Sequence, residues 1–370
     1  MLRRSIGLGL FNVLLSCSSA SSSGTASKPA GDDGGGSTTL DCAGDAVTTD
    51  ARCGTLGWSV SATVSRPRNH HLSVVAHTSG GDFLYSIGGA DGASTLANVD
   101  RAPIAADGGL GDFTELTPIP RATGGMTGGV VSNVIVLAGG THGNAVTNQA
   151  YSAVIQDDGS LGAWTSAGSV GNFRMHPGSI VNGSDIYVLG GFNDPSVWSD
   201  IVKATVSADG TVSAWTPAGT LAGPLSHFSA TLHDGYVYVA GGLDKSAFQS
   251  PPPLATVTRG HLLADGTIGE WTAMPSLPKG VCTHAAFFYG GYLYVGGGLS
   301  GPLYAETKTV WRAAVGADHM LGAWEETASL ATARGHVHQF PVFGNHVYSI
   351  AGAITLDLKS TTTIEVGTFE

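Results

Sequence analysis

The chain has 370 residues, of which 55 are glycine and only 12% are charged. Few charges and many small residues suit closely packed β-sheets, whereas a disordered chain has the opposite balance. The formal net charge of −11 argues against sequence-independent nucleic-acid binding, because such binding needs a basic face that releases counterions. We therefore expect no nucleic-acid partner.

The N-terminus has the pattern of an export signal. Arg3 and Arg4 precede an apolar core at residues 6–15, which is too short for a bilayer-spanning helix of about 20 residues. The core ends in Leu14-Leu15-Ser16-Cys17, which resembles the lipobox of bacterial lipoproteins. The resemblance implies a lipoprotein signal peptide at 1–16 and lipidation of Cys17. The alternative is an ordinary secretory signal that is cut near Ala20.

The residue after Cys17 is Ser18, not the aspartate that retains enteric lipoproteins at the inner membrane. We therefore expect a lipoprotein of the bacterial cell envelope, located at the outer membrane or cell surface. It would meet the membrane only through its lipid anchor. Residues 17–41 are rich in serine and glycine and predict a flexible tether.

The remaining cysteines fall into a pair and a single residue. Cys42 and Cys53 bracket ten residues, which in an exported protein predicts a disulfide-closed loop over 42–53. Such a closure contributes roughly 3 kcal/mol in the chain-entropy account. Cys282 lies in an apolar segment, so we expect a buried, unreactive thiol.

An apolar strand that ends in a doublet of small residues occurs six times. The last residues of the doublets are 51, 51, 51, 56 and 54 residues apart, and a period near 50 residues is typical of propellers and other repeat arrays. We number the repeats one to six by these doublets, which are Gly88-Gly89, Gly139-Gly140, Gly190-Gly191, Gly241-Gly242, Gly297-Gly298 and Ala351-Gly352.

A second landmark follows each of the first five doublets. An aspartate lies six residues before an aromatic residue, as in Asp158-Gly159 and Trp164. Asp-Gly between β-rich segments predicts a hairpin, since glycine accepts a positive φ, so each repeat should contain four strands, A to D. No such aspartate and aromatic residue follow the sixth doublet, and residues 54–58, ending in Trp58, resemble the strand D that the sixth repeat lacks. We therefore predict that strand D of the last sheet comes from the N-terminus, beside a strand within 361–370.

A third landmark, a proline or arginine followed by a histidine, precedes strand A in most repeats, and Arg121 is followed by Met126 in place of the histidine. Together with the glycine doublet and the spaced Tyr and Trp, it resembles the kelch repeat. The resemblance covers residues 54–370, although the doublet of the sixth repeat is weakened to Ala351-Gly352. It implies an all-β, six-bladed kelch-like β-propeller whose last blade is closed by an N-terminal strand.

The polar residues before strand A form the first candidate site. In a propeller strand A lines the central channel, so these side chains would lie at a similar height in it. One interpretation is a metal or anion site. The other is a set of framework residues that bond neighbouring backbone, which a repeat copies everywhere. The candidates are Arg68, His71, Arg174, His176, His227, His284, Arg334 and His338.

The second candidate site lies on two insertions. The longest connections follow strand B of repeats four and five, at Gly242–Leu254 and Gly298–Thr307, and should project from the same face on adjacent blades. Binding residues often lie on loops of a rigid scaffold, so we predict that Phe248, Tyr304 and Glu306 contact a partner. The alternative is a pair of surface loops without a partner.

The sequence contains no G-x-S-x-G, H-E-x-x-H, P-loop or EF-hand motif, and we assign no catalytic residue, metal or cofactor. We expect a monomeric, surface-anchored binding or adhesion module that recognises a protein or a glycan through its blade loops. The alternatives are an envelope enzyme that acts on a sugar, either mutarotase-like or oxidase-like, and a structural component of the envelope.

Overall fold

The computed structural model describes residues 56–92 and 94–370. The predictions for Cys17, for the tether at 17–41 and for the Cys42–Cys53 disulfide lie outside these residues. The described part is built from β-strands and turns, with one short 3-10 helix at Ala247–Gln249. No helix within it has both the length and the apolar character needed to cross a bilayer. The all-β class predicted from the sequence is confirmed.

Repeats one to five each form four consecutive antiparallel strands that pair in the order A-B-C-D. A single parallel pair, Gly219 with Ile268, joins the sheets of repeats three and four into one eight-stranded sheet. Strands A, B, C and D of repeat one are Leu72–Thr78, Gly81–Ile87, Val99–Ile104 and Thr114–Glu115, and those of repeat two are Thr127–Val131, Val134–Ala138, Gln149–Val154 and Thr165–Ser169. Repeat three has Gly178–Asn182, Asp185–Leu189, Asp200–Thr205 and Thr216–Thr220, and repeat four has Ser229–His233, Tyr236–Ala240, Val257–Leu262 and Ile268–Met274. Repeat five has Ala285–Tyr289, Tyr292–Gly296, Val310–Val315 and Leu321–Glu326.

The sheet of repeat six combines the two ends of the described chain. The end strands pair antiparallel from Leu56 opposite Phe369 to Thr63 opposite Thr363. This is the pairing predicted from the position of Trp58, and it removes two open sheet edges that would otherwise invite association. Strands A to D of this sheet are Val342–Phe343, His346–Ile350, Thr363–Phe369 and the N-terminal Leu56–Thr63.

The small-residue doublets end strand B and lead into short hairpins. Gly89 has a φ of 97°, and a Cβ at this glycine would lie 2.8 Å from the Cβ of His71. In repeat six Ala351 has a φ of 48°, so the weakened doublet keeps the left-handed backbone. The short strands beyond the doublets are Ala90–Asp91 with Ser94–Thr95, Thr141–His142 with Ala145–Val146, Phe192–Asn193 with Ser196–Val197, and Leu299–Ser300 with Ala305–Glu306. Leu299–Ser300 also pairs with Val281–Cys282, which precedes strand A of repeat five.

The apolar core lies between neighbouring sheets. Tyr85 of the first sheet, for example, packs with Ile135 and Leu137 of the second. The repeated tryptophans tie the same interfaces, because each indole N–H donates to a backbone carbonyl of the preceding sheet or of the segment that leaves it. These bonds run from Trp58 to Ala328, Trp164 to Thr117, Trp215 to Ala167, Trp271 to Thr220 and Trp324 to Pro275, at 2.6 to 3.1 Å.

Candidate functional site

Six equivalent backbone positions, one before each strand A, surround a central channel. All have a left-handed φ between 52° and 64°. Five of them donate their backbone N–H to the carbonyl of the preceding member at 2.8 to 3.0 Å, and the N–H of Val337 completes the circle by donating to the carbonyl of Thr283 at 3.2 Å. We name these positions the central ring; they hold His70, Gly125, His176, His227, Thr283 and His336.

The ring explains why histidine occurs repeatedly at a strained backbone position. A left-handed backbone costs about 1–2 kcal/mol for a residue with a Cβ, and the ring hydrogen bonds offset that cost. Beyond the ring the channel continues as a cavity of about 450 Å³. Strand A or its neighbouring residues contribute its lining from five repeats, including Ser73, Val130, Thr231, Phe288 and Gln339.

Five imidazoles meet inside the central ring. The imidazole centroids of His70 and His336 lie 3.9 Å apart, and those of His176 and His227 lie 4.0 Å apart. His70 and His176 are 4.8 Å apart, and His338 approaches these two at 5.9 and 5.3 Å. We name His70, His176, His227, His336 and His338 the histidine cluster.

The cluster depends on a gap in the central ring. A Cβ placed on Gly125 would lie 2.9 Å from Cε1 of His176, which is closer than real Cβ contacts. The missing side chain at this position therefore leaves the space in which the imidazole of His176 lies beside that of His70. Phe192 covers the other side of the cluster, with ring centroids 5.0 Å from His227 and 5.9 Å from His176.

Two imidazoles of the cluster are oriented by the residue that precedes them. Asn69 donates its side-chain N–H to Oγ of Ser360 at 2.9 Å, which turns its Oδ1 toward His70. Nδ1–H of His70 donates to that oxygen, so Nε2 carries the free lone pair. His227 is held in the same way, because its Nδ1 lies 2.9 Å from Oγ of Ser226.

Burial keeps the cluster uncharged. Desolvation, aided by neighbouring histidines, holds the pKa values of His70, His176, His227 and His336 well below the ordinary value. Burial alone lowers the pKa of His338 to about 4. At neutral pH the imidazoles are therefore in the form that ligates metals, with one lone pair each.

The five histidines predicted from the sequence are not equivalent in the structure. His176, His227 and His338 belong to the cluster, and of these only His176 and His227 occupy ring positions. His71 and His284 each follow a ring position by one residue and are buried. Each packs against the glycine doublet of its own repeat, since a Cβ on Gly89 or Gly298 would collide with them.

Sequence reasoning missed two members of the cluster, His70 and His336. The signal was present as Arg-x-His, which places a histidine two residues after Arg68, Arg174 and Arg334. Counting back from the turn between strands A and B obscured it, because strand A has seven residues in repeat one and five in most others.

The three predicted arginines are buried within the sheets. Their side chains form ion pairs with an acidic residue of strand C, Arg68 with Asp100, Arg174 with Asp200 and Arg334 with Glu365. In each of them Nη1 donates to backbone carbonyls, as where Nη1 of Arg334 donates to Ala351 at 2.9 Å. These contacts match the framework interpretation, since the guanidinium charges are compensated inside the protein.

The two insertions contact each other. The hydroxyl of Tyr304 donates to the carbonyl of Pro251, and its ring packs against a small core of Leu243, Cys282 and Leu299. Burial raises the pKa of the Cys282 thiol to about 12, as expected for an unreactive cysteine. Burial also raises the pKa of the half-buried Glu306 carboxyl.

Exposure separates the predicted contact residues on the insertions. Phe248 is 73% exposed, whereas Tyr304 and Glu306 are partly buried. The exposed apolar residue of the second insertion is Leu303, at 77%, which sequence reasoning did not select. Phe248 also approaches the channel, because its ring centroid lies 6.1 Å from that of Phe192.

Comparisons with known proteins support the kelch resemblance. No protein-family model matches the chain. Kelch repeat and BTB domain-containing protein 1 of horsepox virus is 29% identical over 134 residues, which are 36% of this chain and 22% of that protein. Alpha-scruin of Limulus polyphemus is 28% identical over 172 residues, or 45% of this chain and 18% of that protein. The matches thus span about a fifth of the length of these relatives.

A solved structure shows the same fold. The structure of YjhT superposes with a TM-score of 0.64 and covers 84% of this chain and 100% of that one, at 13% sequence identity. An identity this low establishes the fold alone. Together the comparisons support the predicted kelch-type repeats and the β-propeller fold.

Proposed function

We propose that the chain forms a six-bladed propeller that serves as a binding module for a protein, held at the cell envelope by a lipid on Cys17. The repeat contacts support the blade count, because the N–H of His70 in repeat one donates to the carbonyl of His336 in repeat six and the hydroxyl of Tyr348 in repeat six donates to the carbonyl of Gly108 in repeat one. The central ring has six members, and the indole of Trp58 reaches back to Ala328. The hydroxyls of four strand-B tyrosines each donate to a backbone carbonyl in the Asp-Gly hairpin position of the following repeat. These bonds run from Tyr85 to Gly159, Tyr187 to Gly266, Tyr238 to His319 and Tyr348 to Gly108.

The observation that carries the binding function is the exposure of large apolar side chains on one set of loops. Five such side chains are exposed in the described residues, and three of them follow strand B in consecutive repeats. They are Phe248 at 73%, Leu303 at 77% and Leu356 at 62%. We name residues 243–254, 299–306 and 353–360 the loop face. Apolar side chains grouped on a surface with polar surroundings mark sites of interaction.

The chemistry of the loop face favours a protein over a glycan as the partner. An exposed phenylalanine and two exposed leucines gain free energy by burial in an apolar partner surface, at about 25 cal/mol per Å². The contact between Tyr304 and Pro251 stiffens the two insertions, which lowers the entropy lost on binding. The kelch-repeat relatives are consistent with an interaction module.

The loop-face proposal is tested by capturing envelope proteins on the immobilised purified chain and identifying them by mass spectrometry. The double variant Phe248→Ser/Leu303→Ser should lose a partner that the parent retains. Val60→Ser is the matched control, because Val60 is 57% exposed but lies on strand Leu56–Thr63. A partner that survives the double variant, or is lost equally with Val60→Ser, contradicts the proposal. A glycan array run in parallel tests the glycan alternative.

The lipid anchor is tested separately, by mass spectrometry of the mature N-terminus. The proposal requires a diacylated Cys17 and loss of membrane association in Cys17→Ala. A mature chain that begins near residue 21 without lipid would replace the anchor by secretion.

A further inference from the structure

We propose that the histidine cluster binds one divalent transition-metal ion of the class that prefers imidazole nitrogen, with His70, His176 and His338 as its ligands. One ring nitrogen of each lies within 4.8 Å of those of the other two. Zinc bound by histidine has Zn–N distances of about 2.0–2.1 Å, so two ligands of a tetrahedral ion lie roughly 3.3 Å apart. Rotations of these side chains would bring the three ring nitrogens to that separation.

The ligand type selects the kind of ion. The group contains three imidazoles and no carboxylate. Imidazole suits zinc, copper and nickel, whereas magnesium and calcium require oxygen ligands. Three protein nitrogens leave a fourth position open for water, hydroxide or an anion, as in zinc sites with three histidines.

The surroundings of His70 match those of a metal ligand. Metal-binding histidines commonly donate their second ring N–H to a fixed acceptor, which sets the tautomer and the ring orientation. Asn69 supplies that acceptor, and Ser360 of the sixth repeat fixes the amide of Asn69. The lone pair of Nε2 is thereby directed away from Asn69 and is available to an ion.

Unused nitrogens give a second, independent observation. Among the described residues, Nδ1 of His176 and Nε2 of His338 are buried without a hydrogen-bond partner. Such atoms usually find one, because a buried polar atom left unsatisfied costs about 1–3 kcal/mol. A bound ion would use ring nitrogens that the protein leaves free.

The framework interpretation accounts for this cluster less well. Framework residues recur in every repeat, yet the central ring has glycine at 125 and threonine at 283. The backbone of His338 is not a member of the central ring, and its imidazole reaches the cluster from the segment that precedes strand Val342–Phe343. The convergence of His338 with His70 and His176 is therefore a departure from the repeat.

The test is zinc binding to the full chain, purified without a histidine tag and measured by equilibrium dialysis. We expect one Zn²⁺ per chain. His70→Gln should weaken binding at least about 100-fold and Asn69→Ala about 10- to 100-fold, as when an outer-shell partner is removed. The control is His77→Gln, since His77 is exposed and lies beside Asp82; its affinity should equal that of the parent.

A spectroscopic measurement keeps the proposal testable if a variant misfolds. X-ray absorption of the zinc-loaded parent should show at least three imidazole nitrogens around the ion. Co²⁺ in the same site should give the visible spectrum of a four-coordinate ion without a thiolate band, which distinguishes it from binding at Cys42 and Cys53. Fewer than three imidazoles, or unchanged zinc affinity in a folded His70→Gln variant, would overturn the assignment. Leu303→Ser should leave zinc binding unchanged, because Leu303 is 77% exposed on the second insertion, so failure of the partner proposal does not decide this one.

Discussion

Replacing Glu365 with glutamine tests whether Arg334 belongs to the framework. Both side chains are fully buried, and Nη2 of Arg334 lies 2.5 Å from Oε1 of Glu365. The carboxylate also accepts the backbone N–H groups of Ala331 and Thr332 at 2.6 and 2.9 Å. Glutamine keeps the size but leaves the guanidinium charge buried and uncompensated. Removing one partner of a buried pair costs about 3–5 kcal/mol, and we expect that loss in the free energy of unfolding.

A matched control exists on the surface of the same protein. Nε of Arg312 lies 2.7 Å from Oε1 of Glu325, but the Glu325 side chain is 57% exposed. Solvent screens such a pair and rehydrates the arginine when the carboxylate is removed. Glu325→Gln should therefore cost only about 0.2–1 kcal/mol, although the substitution and the contact distance are comparable.

The assay is urea unfolding followed by tryptophan fluorescence, with the midpoint and the slope reported for each variant. A cost for Glu365→Gln within about 1 kcal/mol of that for Glu325→Gln would refute the reasoning. The double variant Arg334→Met/Glu365→Leu should recover only part of the loss, because it removes both buried charges but also removes the partners of the Ala331 and Thr332 N–H groups and of the Ala351 carbonyl.

Two further predictions concern acid stability and closure. Burial lowers the pKa of His284 to about 3, so the unfolded chain takes up this proton first and stability falls as the pH drops below about 6.5. His284→Met, which copies Met126 at the equivalent position, should remove about 2 kcal/mol of the loss between pH 7 and pH 5, measured by urea unfolding at both values; an unchanged loss would show that His284 titrates normally. Deleting residues 363–369 removes the strand that pairs with both Leu56–Thr63 and His346–Ile350; we expect an insoluble chain, and a soluble product with a cooperative thermal transition would contradict closure by this strand.

Much of the scaffold could be predicted because its signals are local. A glycine doublet after an apolar strand favours left-handed backbone, and Asp-Gly favours a hairpin, so strand ends follow from a few residues. The displaced strand of Trp58 was also predictable, since repeat six lacks its own strand D and the N-terminus supplies a matching segment. Its indole donates to Ala328 beside repeat five, just as the indoles of Trp164, Trp215, Trp271 and Trp324 donate to the repeat that precedes their own.

The candidate sites could be predicted only in part, because they depend on contacts between distant segments. The local pattern Arg-x-His marks the positions of His70 and His336, but their packing side by side depends on the geometry of the central ring, which no local pattern encodes. Leu303 was missed because the insertion of repeat five folds as a hairpin. That hairpin turns Leu303 outward and Tyr304 toward Pro251.

Regular and irregular positions of the repeat have different roles. A contact that recurs along the chain, such as the indole bond of five repeats or the arginine pair of three, acts on stability. The histidine cluster arises where the ring has glycine at 125 and where His338 enters from outside it. The two sites are also connected, because Phe192 lies between Phe248 on the loop face and His227 in the cluster. A partner that moves Phe248 would therefore act on the covering of the cluster, so a change in zinc dissociation rate on partner binding is the measurement that links the two proposals.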